Sequence, residues 1–405
     1  MPDQSTPEIQ LAALFSSIGG PQRHNAYAEL AATGPVHHVA LPTGEPAWLI
    51  TGYDEVRAVL HDPRLIKSDP KRTALAGDRL SPELFSAISH HMLNRDPPDH
   101  TRLRRLVTAV FTRRRIDELA PRIQQITNDL LDALVGVAQA DLIASFAYPL
   151  PLTVICELLG VPADNRSDFR AWSATLVTGT MANPDEFLAA ARAMVSYLQE
   201  LIATKRADPA DDLLSALAAV HEGADRLAAD ELTSMVFLLL VGGHETTVNL
   251  IGNGVYALLT HPEQLTLLRA QPHRLPAAIE ELLRFDGPVQ TATYRVTTEP
   301  VEIGGVAIPA DQIVIAGLLA ANRDAAHLPD PDVLDLSRED NPHLAFGHGI
   351  HHCLGAPLAR LEGRIALGCL LARFPRLHLA VPTEQLIWRP GLIMNGLVAL
   401  PVAMG

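Results

Sequence analysis

The sequence predicts a mainly α-helical fold with a small β-rich region. Two patterns carry this. Apolar residues keep helical spacing over 116–135, 142–159, 186–205, 230–260 and from Leu354 to Phe374. A period near two is confined to 36–51, 289–308 and short pieces around Ile387, Leu392-Ile393 and Val398. No Gly/Ser linker, repeat or low-complexity tract divides the 405 residues, so one domain spanning 1–405 is expected. Hydrophobic residues form 48% of the chain, which is ample for a large core.

Composition removes several function classes. A net charge of −14 argues against a nucleic-acid partner. Three scattered cysteines, Cys156, Cys353 and Cys369, cannot make a disulfide framework and fit a reducing cytoplasm. Met1-Pro2-Asp3-Gln4 carries neither a basic nor an apolar leader region, and no secretory signal is expected. No continuous run of about 18 apolar residues is present, so no membrane anchor is expected. Locally the charge reverses at Arg102, Arg104, Arg105, Arg113, Arg114 and Arg115. A solvated helix face accounts for most of these; a patch that steers an acidic protein partner is the functional reading.

Taken in order, a helix over 22–33 stops at Gly34-Pro35, and 36–41 with 47–51 reads as a hairpin around Pro42-Thr43-Gly44-Glu45. A short helix from Tyr53 to Leu60 ends at Asp62-Pro63. Residues 62–98 keep no period, and a connection that long is usually functional or mobile. Asp96-Pro97-Pro98-Asp99 then opens a helix on which His100 and Arg104, four apart, share one face. Pro149 and Pro151 kink or split the 142–159 segment. A helix from Pro162 to about Val177, a break over 178–184 and a helix to Lys205 follow.

Asp230 to Thr260 reads as one helix about 46 Å long at about 1.5 Å per residue. Met235 to Val241 is apolar all round and therefore buried. Polar groups then appear in mid-core, in Gly242-Gly243-His244-Glu245-Thr246-Thr247. Each helical glycine costs about 1 kcal/mol relative to alanine. Thr246 is placed to bond the carbonyl of Gly242, bending or widening the helix. A notch without side chains results, edged by a hydroxyl and a carboxylate, and a small diatomic ligand fits it. A kinked core helix with incidental polar groups is the plainer reading, but buried unpaired carboxylates are costly. Further on, Glu281 and Arg284 form an i,i+3 pair that, if buried, acts as a specificity device rather than a catalytic one.

The most informative stretch is Phe346-Gly347-His348-Gly349-Ile350-His351-His352-Cys353-Leu354-Gly355-Ala356. Its glycines permit positive-φ turns and close approach to a flat ligand. A sulfur at the start of the following helix meets unpaired N–H groups and the positive dipole end, both of which favour thiolate. Such a sulfur suits a haem iron. A zinc centre, a catalytic thiol and an inert buried cysteine remain open, although no C-x-x-C or H-E-x-x-H accompanies the three histidines.

F-x-x-G-x-H-x-C-x-G at Phe346, Gly349, His351, Cys353 and Gly355 resembles the haem-binding signature of the cytochrome P450 family. Gly242 to Thr246 resembles the family's oxygen-activation motif, and H-x-x-x-R at His100 and Arg104 its propionate clamp. The likeness covers nearly the whole chain and is nearest to soluble actinobacterial enzymes that hydroxylate macrolides, steroids and similar large apolar molecules. It departs at His352, where such relatives usually carry Phe, and at Gly242, where Ala is commoner. The resemblance implies a cytochrome P450 fold with haem b on Cys353 and propionates held by His100, Arg104, Arg295 and His351. Phe346 and Gly242 would border the cofactor. Thr246 would support oxygen activation and Glu245 relay protons. Arg338 would tie Glu281–Arg284. Residues 62–98 and the break near Gly179 would cover the substrate, and Val289, Thr291, Leu392 and Ile393 would line its pocket. Monooxygenation with O2 is implied, fed by ferredoxin and an NAD(P)H-dependent ferredoxin reductase.

Overall fold

A computed structural model describes residues 9–10, 20–41, 44–68, 80–178, 183–222 and 225–405. Gly20–Ala31 (α1) leads into a hairpin of Val36–Ala40 (β1) and Pro46–Ile50 (β2), antiparallel with Val36 opposite Ile50. Tyr53–His61 (α2) follows, with Tyr53 N–H donating to Asp324 at 2.8 Å. Leu65–Ile66 (β3) and Pro82–Ser89 (α3) lie inside the stretch that shows no period. Their presence corrects the expectation of a structureless connection. Ser81 caps α3 by accepting from Leu84 N–H, and Pro82 sits at its first position.

Asp99–Val110 (α4) carries His100 and Arg104. The 116–135 pattern is split, because Thr112 caps a short turn, Arg113–Asp117, ahead of Ala120–Asp132 (α5). The 142–159 segment is also two pieces. A wide turn over Ile143–Ala147, closed by Tyr148 N–H to the Ile143 carbonyl at 2.9 Å, precedes Pro149–Leu159 (α6). Arg166–Thr178 (α7) and Pro184–Ala207 (α8) follow, and the break near Gly179 lies outside the described residues.

Ala229–Thr260 (α9) runs uninterrupted, as expected, and α3, α6, α8 and the helices C-terminal to it pack around it. By length and composition this helix could cross a membrane, which corrects the expectation that no stretch qualifies. It is instead the mostly buried core helix, and burial on every side explains its apolarity.

Leu275–Asp286 (α10) bears Glu281 and Arg284. Residues 289–294 make only isolated bridges, Val289 to Met394 and Thr291 to Gly317, rather than the expected strand. Their N–H groups are shared between separate partners, Gln290 with Ile393 and Ala292 with Ala316. Arg295–Thr297 (β4) does pair, and Val301–Ile303 with Val306–Ile308 forms the hairpin expected at Gly304-Gly305. Ile313–Ala316 (β5) completes the main sheet, parallel to β2 and antiparallel to β4, whose far edge takes β3. Ala356–Arg373 (α11) follows the cysteine loop. Near the C-terminus, Trp388 bridges Leu397 and Pro401–Ala403 forms a strand.

Candidate active site

Between the cysteine loop and α9 lies a chamber of about 430 Å³, within the usual size range of ligand pockets. Leu239, Val241, Leu250, Leu283, Val289 and Met394 give it an apolar lining. The loop is built for close approach. Gly347 and Gly349 both sit at φ +72°, and a side chain at Gly349 would lie 2.7 Å from the Leu60 carbonyl oxygen. Cys353 N–H donates to the Phe346 carbonyl at 2.9 Å, folding the sulfur back towards the chamber. Arg360 lies over the Phe346 ring at 4.4 Å.

Cys353 is exposed and lines this chamber. Burial raises its pKa, outweighing the Gly355 and Ala356 N–H groups and the cations Arg104 and Arg360. That corrects the expected lowering: the helix start does feed the sulfur, but desolvation is the larger effect. Coordination to a metal cation deprotonates such a thiol outright. Among the described residues no three His, Cys, Asp or Glu side chains are placed to hold a metal. The loop histidines therefore do not close a zinc centre with Cys353.

On the opposite wall, Thr246 Oγ1 donates to the Gly242 carbonyl at 2.9 Å, as its spacing predicts. A Cβ at Gly242 would meet nothing within 4 Å, whereas one at Gly243 would press on Ile155 at 3.2 Å. Gly242 therefore opens the notch, and Gly243 lets α6 pack against α9. Glu245 is 0% exposed and does not line the chamber. Its Oε2 accepts from Arg389 at 3.1 Å, while Oε1 has no hydrogen bond among the described residues and lies 3.7 Å from His244 Nε2. His244 Nδ1 is 2.7 Å from the Leu240 carbonyl, an acceptor only, so Nδ1 carries the proton. Nε2 is then free to accept from the Ser173 hydroxyl at 3.2 Å, which also meets Tyr148 at 3.2 Å. His244 thus joins α9 to α7.

The rim of the chamber is basic. Lys67, His100, Arg104, Arg295 and His351 all line it. Burial, then Lys67, His100, Arg295 and Arg104, push His351 down to about 2. Burial lowers Arg295 to about 10. Among the described residues neither buried ring nitrogen of His100 has a hydrogen-bond partner. The side chains of Lys67, Arg104 and Arg295, beside the orphaned ring nitrogens of His100, call for anionic partners, and haem propionates meet that need beside a sulfur donor; the residues present fit the group. Arg104 adds a second task, donating to the carbonyls of Ile350 at 3.1 Å and His352 at 2.8 Å and so bracing the cysteine loop. The clustered arginines are engaged: Arg104 here, Arg102 with Asp225 and Glu231, Arg115 with Asp211, and Arg113 and Arg114 with Asp117 and Glu118.

Of the predicted pocket residues, Val289, Thr291 and Ile393 line the chamber with Phe346 and Gly242, but Leu392 does not. Gln290 Nε2 binds the carbonyls of Gly391 at 2.5 Å and Met394 at 3.0 Å, and Thr291 Oγ1 that of Leu392 at 2.7 Å. This backbone clamp leaves the Leu392 side chain against the small core that includes Tyr27, Leu30 and Val39, and Met394 takes the place on the wall. Sequence reasoning passed over Lys67 and Arg389. Lys67 is one of only three lysines in an arginine-rich chain, which was a usable signal; Arg389 offered none.

A helical fold with one cysteine facing a basic-rimmed apolar chamber, and an acid–alcohol pair opposite, defines a haem-thiolate protein. The Cytochrome P450 family model matches residues 184–387. Cytochrome P450 107B1 of Saccharopolyspora erythraea is 50% identical over 99% of this chain and 100% of its own length. The 6-deoxyerythronolide B hydroxylase of the same organism is 45% identical over 94% of this chain and 96% of its own. The solved structure of the tirandamycin C-bound P450 monooxygenase TamI matches 98% of this chain and 100% of its own at TM-score 0.89 and 46% identity. The chain belongs to the cytochrome P450 family: it is a monooxygenase that uses haem b.

Proposed function

We propose that this enzyme inserts one oxygen atom from O2 into a C–H or C=C bond of a large apolar molecule of macrolide or polyketide type, the other atom leaving as water. A ferredoxin, itself reduced by an NAD(P)H-dependent reductase, supplies the two electrons. The reaction takes place in the cytoplasm, within a single domain spanning 1–405. One observation carries the reading: Cys353 and the Gly242–Thr246 notch face each other across an apolar chamber with a cationic rim. When bound, haem supplies reductive activation of O2 at its iron.

The chain's own groups do the rest. Cys353 Sγ would hold the haem iron, and Arg104 and the Phe346 carbonyl hold its loop. Arg104 and Arg295 would neutralise the propionates, and His100 and His351 would donate ring N–H groups to them. Gly242 leaves room for a diatomic molecule, and the Thr246 hydroxyl stands at the edge of that room. Glu245 holds protons next to it, out of contact with the chamber, with Arg389 as its link to the surface. Val289, Thr291, Ile393 and Met394 shape the substrate wall. The Glu245–Thr246 pair favours an electron-driven cycle over one that runs on peroxide alone. A hydroxylase for 6-deoxyerythronolide B and a tirandamycin C complex among the relatives support the substrate class. Ferredoxin docking is supported by Arg113 and Arg114, whose side chains stay largely exposed despite their pairing.

Carbon monoxide on the reduced protein tests the ligand. The expected red-shifted absorption disappears in Cys353→Ala; a variant that keeps the band overturns the assignment.

A further inference from the structure

Lys67 is 8% exposed and opens onto the chamber. Its ammonium donates to the Thr293 carbonyl at 3.4 Å and to Thr293 Oγ1, neither of which carries charge. β3 runs antiparallel to β4 with Leu65 opposite Thr297 and Ile66 opposite Val296. Continuing that register sets Lys67 opposite Arg295, their side chains on one face. Like charges directly opposite are destabilising. Asp96 is the nearby carboxylate, but its oxygens are taken by the N–H groups of Lys67 and Ser68 and by the Ser68 hydroxyl. Arg295 donates only to the Leu60 carbonyl, at 3.4 Å, among the described residues. An ammonium and a guanidinium thus face each other, buried, with no carboxylate of the described residues hydrogen-bonded to either. Removing charges from water without pairing them is expensive, so this arrangement calls for an anion from the chamber side.

The geometry points to Lys67 as a haem-binding residue, its ammonium holding a propionate jointly with Arg295 and so joining the cofactor to the β3–β4 pair. This rests on the haem reading above. The propionate removes the repulsion across the two strands, and Asp96 keeps the Lys67 backbone in register while it does so.

The test uses the full chain with Lys67→Met and Lys67→Arg. It measures haem transfer to excess apomyoglobin, the reduction potential, and melting of the loaded and haem-free forms. One charge-assisted hydrogen bond corresponds to roughly a ten- to hundredfold change in haem dissociation. Lys67→Met is expected to lose haem faster by that factor, to have a lower reduction potential because a cation at the cofactor's propionate is gone, and to melt lower only when loaded. Lys67→Arg restores most of each effect. Unchanged haem transfer overturns the assignment. An equal melting loss in both forms also overturns it, by reducing Lys67 to packing. Normal haem retention with weakened binding of dodecanoic acid, but not of its methyl ester, overturns it in favour of a substrate carboxylate. Wild-type protein that takes up no haem sinks the cofactor reading instead, a result distinct from all of these.

Discussion

Two buried glutamates meet arginines in very different ways. Glu281 is saturated. Oε1 accepts from Arg284 Nη2 at 2.8 Å and Asp335 N–H at 2.9 Å; Oε2 accepts from Arg284 Nε at 2.7 Å and Asn341 at 3.0 Å, with Arg338 3.4 Å away. Arg284 spends its remaining donors on the carbonyls of Asn322, Pro331 and Val333. Glu245 has one bond, to an Arg389 whose side chain is 27% exposed, and an idle Oε1. A carboxylate with every lone pair engaged cannot exchange a proton without breaking the fold. One with a free oxygen and a partner that reaches solvent can. The first pair fixes architecture, and the second is left available for chemistry.

Glu281→Ala gives the largest effect. It strips one partner from a closed network and leaves the Arg284 guanidinium uncompensated, at about 3–5 kcal/mol. Urea titration should show either no cooperative loaded state or a midpoint far below wild type. Wild-type stability in this variant would remove the distinction between the pairs. Glu245→Gln comes next, and its loss should be catalytic instead. Its melting stays near wild type, since the amide still reaches Arg389. Turnover falls by roughly two orders of magnitude, at the lower end of the usual range for a positioned proton donor. The solvent deuterium effect on turnover should rise as well. Full turnover with an unchanged isotope effect would strip Glu245 of its role.

The two pairs also differ in how far they were legible. Glu281 and Arg284 sit three apart on one helix, so local spacing reveals them. Glu245 is equally visible, as a polar break in an apolar helix. Arg389 is not, because it arrives from 144 residues away in a segment whose short strand-like pieces do not point towards α9. Arg23 helps to hold that segment, donating to Asn395 Oδ1 at 2.5 Å, and Asn395 in turn donates to Asp286 at 2.7 Å. The same contrast explains the fold. α9 could be read because it is long and apolar on all sides. β5, a run of Ile313–Ala316, is too short for periodicity to tell strand from helix. α3 went unread although Ser81-Pro82 is a sound helix start, because its one apolar face spans barely two turns. Lys67 faces Arg295 only through a strand pairing between distant parts of the chain.

Glu280, adjacent to the saturated pair, sharpens the comparison with the smallest effect. It accepts from His343 at 3.0 Å and from Arg360 at 2.8 and 2.7 Å, so it joins α10 to the helix that follows the cysteine loop. Burial alone would raise its pKa, but the bonds from His343 and Arg360 outweigh it and hold the carboxyl at about 2, against an ordinary 4.5. A carboxylate depressed in the folded state stabilises the fold fully above its unfolded value. That contribution disappears as pH falls from 4.5 towards 2, where the folded form also takes up the proton. Glu280→Gln should therefore cost stability at neutral pH and flatten the decline of stability across this acidic window, read by urea unfolding at a series of pH values. Because Arg360 also lies over Phe346, the variant should loosen the cysteine loop and speed haem loss slightly, far less than Lys67→Met does. A decline as steep as in wild type would mean that the acid sensitivity lies elsewhere, and that the Glu280 link is a surface pair of little consequence.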